Sequence, residues 1–118
     1  MATAKNKPSG NTTMLVLKLL EAKDMYGYQI IEELSNKSKE VFRLKTGTLY
    51  PLLHGLENDG IITSYDENTE GQHNPRIRKY YRLTPKGKGL LAQKQSEWTH
   101  YAQAVNRVME GDAAHAFA

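Results

Sequence analysis

Apolar residues repeat with helical spacing along the first third of the chain. The segment 11–23 opens with Asn-Thr-Thr, a run of typical N-cap residues, and continues as almost uninterrupted apolar sequence. Ile30, Ile31 and Leu34 then lie on one side of a second helix over 28–37. Because the first helix is apolar around most of its circumference, we expect it to be covered on more than one side, by a partner beyond the domain's own core.

A third helix, predicted over about 47–59, has two chemically different sides. Leu49, Leu53 and Leu56 give it an apolar side that suits a domain core. Threonines, a tyrosine and a histidine occupy the other side, and such side chains have the size and chemistry that reach base edges or phosphates. The pattern therefore predicts a helix that packs on the core and presents polar groups to a partner.

The ends of this third helix carry residues that helix termini favour. Thr46 or Thr48 is suited to cap its start, and Pro51 lies in the first turn, where backbone N–H groups have no partner within the helix. Gly60 follows the last residues of the helix and is expected at the C′ position that ends it.

Later segments have the composition of β-strands. Residues 61–65 and 79–83 are rich in β-branched and aromatic side chains, and the polar stretch 66–78 between them is too long for a tight turn. Residues 41–44 are long enough only for an abbreviated strand, and residues 24–27 are expected to form a turn.

A long helix is predicted from Thr84-Pro85, a cap residue followed by proline in the preferred order, to about Glu110. Three helices followed by a hairpin predict a mainly α fold with a small β hairpin, which is a winged helix-turn-helix. The long C-terminal helix lies outside that unit and is predicted to be a dimerisation helix. The expected parts are a disordered N-terminal tail over 1–10, a DNA-binding winged helix-turn-helix over 11–84, a dimerisation helix over 85–110 and a frayed tail over 111–118.

The composition excludes several classes of protein. The chain has 118 residues, 39% of them hydrophobic, and no cysteine, so a disulfide framework and thiolate metal sites are excluded. It lacks an apolar run of membrane length and a signal-peptide pattern, which predicts a cytoplasmic protein with no membrane partner. The four histidines show no metal-ligand spacing and no catalytic motif is present, so neither an enzyme, a cofactor nor a metal is expected.

The positive charge is clustered. The net charge is only +3, but ten of the sixteen lysines and arginines fall in the segments 37–45 and 76–88, which a winged helix would place on one side. This clustering predicts contact with double-stranded DNA, with the hairpin against the backbone or minor groove. The residues expected to contact it are Lys45, Thr46, Thr48, Tyr50, His54, Arg76, Arg78 and Lys79. A solvated basic face, or a winged helix used as a protein-interaction module, is the alternative.

The last helix carries one broad apolar stripe, which a winged domain does not need. Its members are Leu91, Trp98, Tyr101, Ala102, Val105, Val108 and Met109. An isolated helix with such a stripe would expose a hydrophobic patch, so we expect a two-fold homodimer in which the stripe meets its mate. Trp98 is either a packed interface aromatic or a platform on which a planar aromatic effector stacks.

Three stretches carry a resemblance to a known family. "YGYQI", "GTLYPLLHGLENDGIITSY" and "RKYYRLTPKGKGLL" resemble the PadR family of bacterial transcriptional regulators over residues 12–92. The resemblance implies a homodimeric winged-helix repressor, similar to the small subfamily with a single C-terminal helix. It also implies DNA contacts from Tyr28, from the "TLYP" segment and from the basic residues of the hairpin, which is the wing of a winged helix. Some small members bind aromatic or multidrug compounds against a tryptophan, and Trp98 occupies the matching position.

Overall fold

The computed structural model describes residues 10–68 and 77–116, with side chains over 11–67 and 77–111. The predicted disordered tail over 1–10 lies outside these residues except for Gly10, which is helical and not part of a tail, and the expected DNA contact Arg76 lies outside them too. In the part described, the elements are α1 (Gly10–Ala22), β1 (Met25–Tyr26), α2 (Gly27–Lys37), α3 (Thr46–Asn58), β2 (Ile62–Asn68), β3 (Ile77–Leu83) and α4 (Pro85–Ala116).

The sheet is antiparallel, and β3 lies in its centre, between β1 and β2. β2 and β3 form the predicted hairpin, which we call the wing. Tyr80 of β3 lies opposite Tyr65 of β2 on one side and opposite Tyr26 of β1 on the other. The expected turn at 24–27 is therefore wrong in part, because Met25 and Tyr26 pair with β3 as a short edge strand.

The abbreviated strand expected at 41–44 does not form. Lys39 and Glu40 have positive φ angles of 52° and 67°, so the chain turns sharply after α2. The Ser38 hydroxyl then accepts the backbone N–H of Phe42 at 3.0 Å. These local bonds fold the connection back against the end of α2 and keep it away from the sheet.

The core is centred on α1, which packs against α2, β3 and α4. Its apolar residues Val16, Leu17, Leu19 and Leu20 are buried, and Leu15 is partly buried. The prediction that α1 is covered on more than one side is therefore confirmed, and elements of the same chain supply this cover. Leu49, Leu53 and Leu56 of α3 are buried as predicted.

The two ends of α3 differ in how well the sequence predicted them. Neither Thr46 nor Thr48 caps the helix, because Lys45 is the N-cap residue and its carbonyl accepts the first helical N–H groups, without a side-chain cap. At the other end Gly60 has a φ of +75°, and its N–H donates to the Glu57 carbonyl. Ile61 N–H donates to the Leu56 carbonyl at 2.9 Å, which completes a Schellman motif.

Helix α4 begins where predicted and ends later than predicted. The Thr84 hydroxyl accepts the N–H of Gly87 at 3.0 Å, as an N-cap residue should. The helix continues past Glu110 to Ala116, because the alanines that follow Gly111 have the highest helix propensity.

The fold is a mainly helical winged helix with a small three-stranded sheet and a long C-terminal helix. No helix in the described segments is both long and apolar enough to span a membrane.

Candidate DNA-binding face

The outward side of α3 exposes fewer of the predicted polar side chains than the sequence suggested. Thr46 and His54 are exposed, whereas Thr48 and Tyr50 are half-buried at the two margins of this side. Helical spacing places Gly47, Pro51, His54 and Asn58 directly opposite the buried leucines, and all four are exposed. Gly47 and Pro51 are not among the predicted contacts because their side chains are not polar, although helical spacing alone places them on this side.

A groove brings several of the expected DNA contacts together. It lies between the start of α2, the start of α3 and the wing, and its volume is about 400 Å³. Tyr28, Tyr50, Arg78 and Lys79 all line it, and Tyr28 is 63% exposed. Hydroxyl donors and cations beside a helix N-terminus suit a phosphate group. Thr46, Thr48 and His54 do not line this groove and lie along α3 instead.

Tyr50 joins this groove through a close contact with α2. Its hydroxyl lies against Gly27, so that a Cβ atom at Gly27 would overlap it. Its ring centroid also lies 6.5 Å from that of the His54 imidazole. The contact with Gly27 fixes the direction of the Tyr50 ring and gives the glycine of "YGYQI" a structural role that the sequence analysis did not assign.

The wing cations lie on opposite faces of β3 and are each paired in register with an acid. Arg78 lies opposite Glu67, and Lys79 lies opposite Asp66. Because side chains alternate along a strand, Arg78 and Lys79 point to different faces of the sheet. The acids of β2 therefore lower the positive potential that these cations would otherwise produce.

Several basic residues that the sequence analysis counted toward DNA contact have partners within the chain. Lys86 donates to the backbone carbonyl of Asp59 at 2.8 Å, and Arg43 forms an ion pair with Glu40. Arg82 forms an ion pair with Asp24, with Nη2 and Oδ2 at 3.0 Å. The clustering of charge in the sequence thus overstates the number of cations that the face offers to DNA.

Asp24 has a second partner in the wing. Its Oδ2 accepts a hydrogen bond from the Tyr65 hydroxyl at 2.7 Å, as well as the Arg82 Nε–H at 3.1 Å. The bond from Tyr65 to Asp24 raises the pKa of the Tyr65 hydroxyl, since the carboxylate stabilises the protonated phenol. The bond to Asp24 also raises the pKa of Arg82. The sequence analysis did not single out Asp24 for any role.

Helix α4 separates the residues of the predicted apolar stripe into two groups. Leu91 is only 2% exposed and lies in the chain's own core, so its expected place in a dimer interface is wrong. Ala102 is partly buried. The rest of the stripe is exposed: Trp98, Tyr101, Val105, Val108 and Met109.

Trp98 lies beside a shallow groove between α1 and α4. The groove has a volume of about 320 Å³ and is lined by Asn11, Met14, Lys94, Glu97, Trp98 and Tyr101. The Trp98 and Tyr101 ring centroids are 5.9 Å apart with an interplanar angle of 37°. An aromatic surface of this kind accepts another flat apolar group.

Comparisons with known proteins agree with this geometry. A transcriptional regulator of Mycobacterium tuberculosis is 34% identical over 82 residues, which cover 70% of this chain and 70% of that protein. A transcriptional regulator from Clostridium thermocellum has a TM-score of 0.73 and 34% identity, over 83% of this chain and 92% of that one. A PadR family regulator from Eggerthella lenta has a TM-score of 0.72 and 31% identity, over 86% and 83%.

A family model matches the greater part of the chain. Residues 16–93 match the family described as transcriptional regulator PadR-like. The match runs from α1 through both strands of the wing into the first turns of α4, so it includes the groove that Tyr28, Tyr50, Arg78 and Lys79 line. The chain therefore belongs to the PadR-like family of transcriptional regulators, for which DNA binding is implied.

Proposed function

We propose that this regulator is a repressor that binds a pseudo-palindromic operator in double-stranded DNA as a homodimer. The observation that carries the proposal is the groove beside the start of α3, which Tyr28, Tyr50, Arg78 and Lys79 all line. In this proposal the segment 11–84 is the DNA-binding unit. Helix α3 enters the major groove, and the wing contacts the adjacent backbone.

The residues of the proposed interface divide by what they would contact. The exposed side of α3, with Thr46 and His54, faces base edges, and half-buried Thr48 contacts the groove margin. Lys45, which precedes α3, is exposed and suited to a phosphate. Arg76 belongs to the same proposed wing contact.

The exposed apolar residues of α4 support the dimer. Trp98, Tyr101, Val105, Val108 and Met109 present a hydrophobic surface that a soluble monomer would leave uncovered. We propose that the same stripe of a second chain covers it, with Ala102 at its centre, and that the dimer presents two α3 helices to the two half-sites.

The groove at Trp98 supports the proposal that a planar aromatic compound acts as an effector. In the proposed dimer, two Trp98 rings lie near the axis and stack a flat compound between them, which alters the spacing of the α3 helices and releases the DNA. Trp98 is the only tryptophan, so its fluorescence reports binding directly. Planar aromatic compounds should quench it and weaken DNA binding, and the absence of quenching across a broad panel would contradict the effector role.

The test of DNA binding begins with selection of bound duplexes from a random DNA pool. We expect an inverted repeat whose half-sites are about one helical turn apart. Affinity for that operator should then fall with rising salt by about 0.9 log unit per log unit of salt for each phosphate contacted. Arg78→Ala should reduce this slope, whereas Arg107→Ala, which removes an exposed cation from α4, should not.

The competing function is a winged helix that binds another protein. It predicts an unenriched DNA pool and DNA binding with little dependence on salt, because few phosphates would be neutralised. Retention of the full salt slope in Arg78→Ala would contradict the proposed wing contact even if an operator is recovered.

A further inference from the structure

Three tyrosines form a continuous row across the outer face of the sheet, which is the face away from the core. Tyr80 of β3 lies in the middle of the row. Its ring centroid is 5.5 Å from that of Tyr26 in an edge-to-face arrangement, and 5.8 Å from that of Tyr65 in a stacked one. Tyr81, the next residue, points to the opposite face and is buried. The row therefore links all three strands through side chains.

An arginine lies over each end of this row. The Arg78 guanidinium carbon is 4.6 Å from the Tyr26 ring centroid, and that of Arg82 is 5.1 Å from the Tyr65 ring centroid. Each guanidinium is attracted by the ring face beneath it, which restricts its position but leaves N–H groups at its edge for an anion. The proposed DNA contact Arg78 is thus held at the end of an ordered side-chain row.

Asp24 fixes the other end of the row. It directly precedes β1, and its Oδ2 accepts bonds from Tyr65 and Arg82, which lie 41 and 58 residues away along the chain. Both are charge-assisted bonds, which are shorter and stronger than neutral ones. A single carboxylate therefore joins the end of α1 to both strands of the wing.

We propose that Asp24 is a positioning residue for DNA binding. It holds the wing hairpin through Tyr65 and Arg82. Because Tyr65 stacks on Tyr80 and Tyr80 packs against Tyr26, the bond to Asp24 also restricts the position of the Tyr26 ring and of the Arg78 guanidinium over it. The inference rests on the proposed contact between Arg78 and a DNA phosphate. It assigns a role in that contact to an acidic side chain, whose own charge would repel DNA.

The direction in which DNA affinity changes on substitution of Asp24 distinguishes a positioning role from a purely electrostatic one. Asp24→Asn removes a negative charge, and by long-range electrostatics alone this change should strengthen DNA binding. If Asp24 positions the wing, the same change should weaken binding and lower the salt slope by up to about 0.9, the share of one phosphate contact. Glu21→Gln is the matched control, because Glu21 lies on α1 and its ion pair within the described residues is a local one, with Lys18 at 2.9 Å.

The measurement is the affinity of each full-length variant for the selected operator as a function of salt. A weaker affinity and a lower slope in Asp24→Asn, with neither change in Glu21→Gln, would support the proposal. The same response in both variants would overturn it. An absence of operator binding by the unaltered protein would instead refute the proposed function, so the two failures are distinguishable.

Tyr65→Phe provides a second variant if Asp24→Asn does not fold. It keeps the ring that stacks on Tyr80 and removes only the hydroxyl that donates to Asp24. We expect a smaller loss of affinity and slope than in Asp24→Asn, because Arg82 keeps its bond to the carboxylate. Unchanged DNA binding in a folded Tyr65→Phe protein would overturn the proposal.

Discussion

The Tyr50 hydroxyl of α3 rests directly on Gly27 at the start of α2, with no room for a side chain between them. This contact joins the two helices of the helix-turn-helix at the groove that we propose for DNA binding. Gly27 is buried in the first turn of its helix, and its φ is not positive, so the backbone conformation does not itself require glycine. The glycine is therefore needed for the space that Tyr50 fills.

Replacement of Gly27 by alanine should weaken DNA binding in a protein that still folds. The new methyl group meets the far end of the Tyr50 side chain, which is able to turn away at a cost of about 1 kcal/mol. We expect a loss of operator affinity of that order, measured by titration of the selected duplex. The free energy of unfolding should fall by a similar amount, because the displaced Tyr50 side chain is strained in the free protein as well, but the fold should persist since no backbone atom has to move.

A double-mutant cycle checks the cause of this loss. In a Tyr50→Ala background the ring atoms that a Cβ at position 27 would overlap are gone, so Gly27→Ala should have little further effect on affinity. Additive losses in the double variant would show that Gly27 acts on DNA binding independently of Tyr50.

Gly87 should tolerate alanine less well than its neighbour Gly89. A Cβ atom at Gly87 would overlap the backbone carbonyl oxygen of Ile61 and the side chain of Leu83, and a backbone atom cannot turn aside. Such overpacking costs about 1–3 kcal/mol. Gly89 lies on the same helix with nothing within 4 Å of its would-be Cβ, so Gly89→Ala should stabilise the fold by about 0.5–1 kcal/mol.

Urea unfolding of the two variants measures this difference. Equal midpoints would mean that the start of α4 does not pack on Ile61 as described. The comparison is matched, because both substitutions add one methyl group to the first turns of the same helix.

The two halves of α4 should respond differently to truncation of their apolar side chains. Leu91 is buried within the chain, so Leu91→Ala should lower the free energy of unfolding by about 2–5 kcal/mol. Val108 is 76% exposed, so Val108→Ala should leave the subunit folded and instead weaken the proposed dimer. Sedimentation at several protein concentrations measures the dimer, and an unchanged dissociation constant in Val108→Ala would remove that residue from the interface.

Local patterns explain what the sequence analysis predicted correctly. The spacing of Leu49, Leu53 and Leu56 determines the buried side of α3. Gly60 marks the end of α3 because the residue after a helix end often needs a positive φ, which glycine adopts easily. The strand β1 escaped prediction because two residues carry no periodicity. Its pairing with Tyr80 and Tyr81 is decided by contacts more than fifty residues away.

The misplaced site residues have a similar physical origin. Seven-residue spacing groups Leu91 with Trp98, but it does not reveal where α4 leaves the core, so Leu91 was assigned to the wrong surface. A count of cations likewise does not reveal that Asp24 engages Arg82 across 58 residues. Periodicity predicts which side of an element is buried, whereas the partner of a given charge depends on the tertiary fold.

The bond between Tyr65 and Asp24 should make stability depend on pH in the alkaline range. It raises the pKa of the Tyr65 hydroxyl in the folded protein above the value of about 10 that applies when the chain is unfolded. The folded state thus holds this proton more tightly, so its contribution is fully present below pH of about 10 and is lost as the pH rises through the folded pKa. Burial raises the pKa of Tyr81 as well, which adds a loss in the same direction.

Tyr65→Phe should therefore flatten the decline in stability above pH of about 10 without abolishing it, because Tyr81 still titrates. Urea unfolding between neutral pH and the alkaline limit measures the slope. Tyr28→Phe is the matched control, since it removes the hydroxyl of an exposed tyrosine on α2, outside the proposed dimer interface. Identical alkaline slopes in the unaltered protein and in Tyr65→Phe would mean that the hydroxyl does not donate its proton to Asp24 in solution, and Asp24 would lose one of its two partners in the wing.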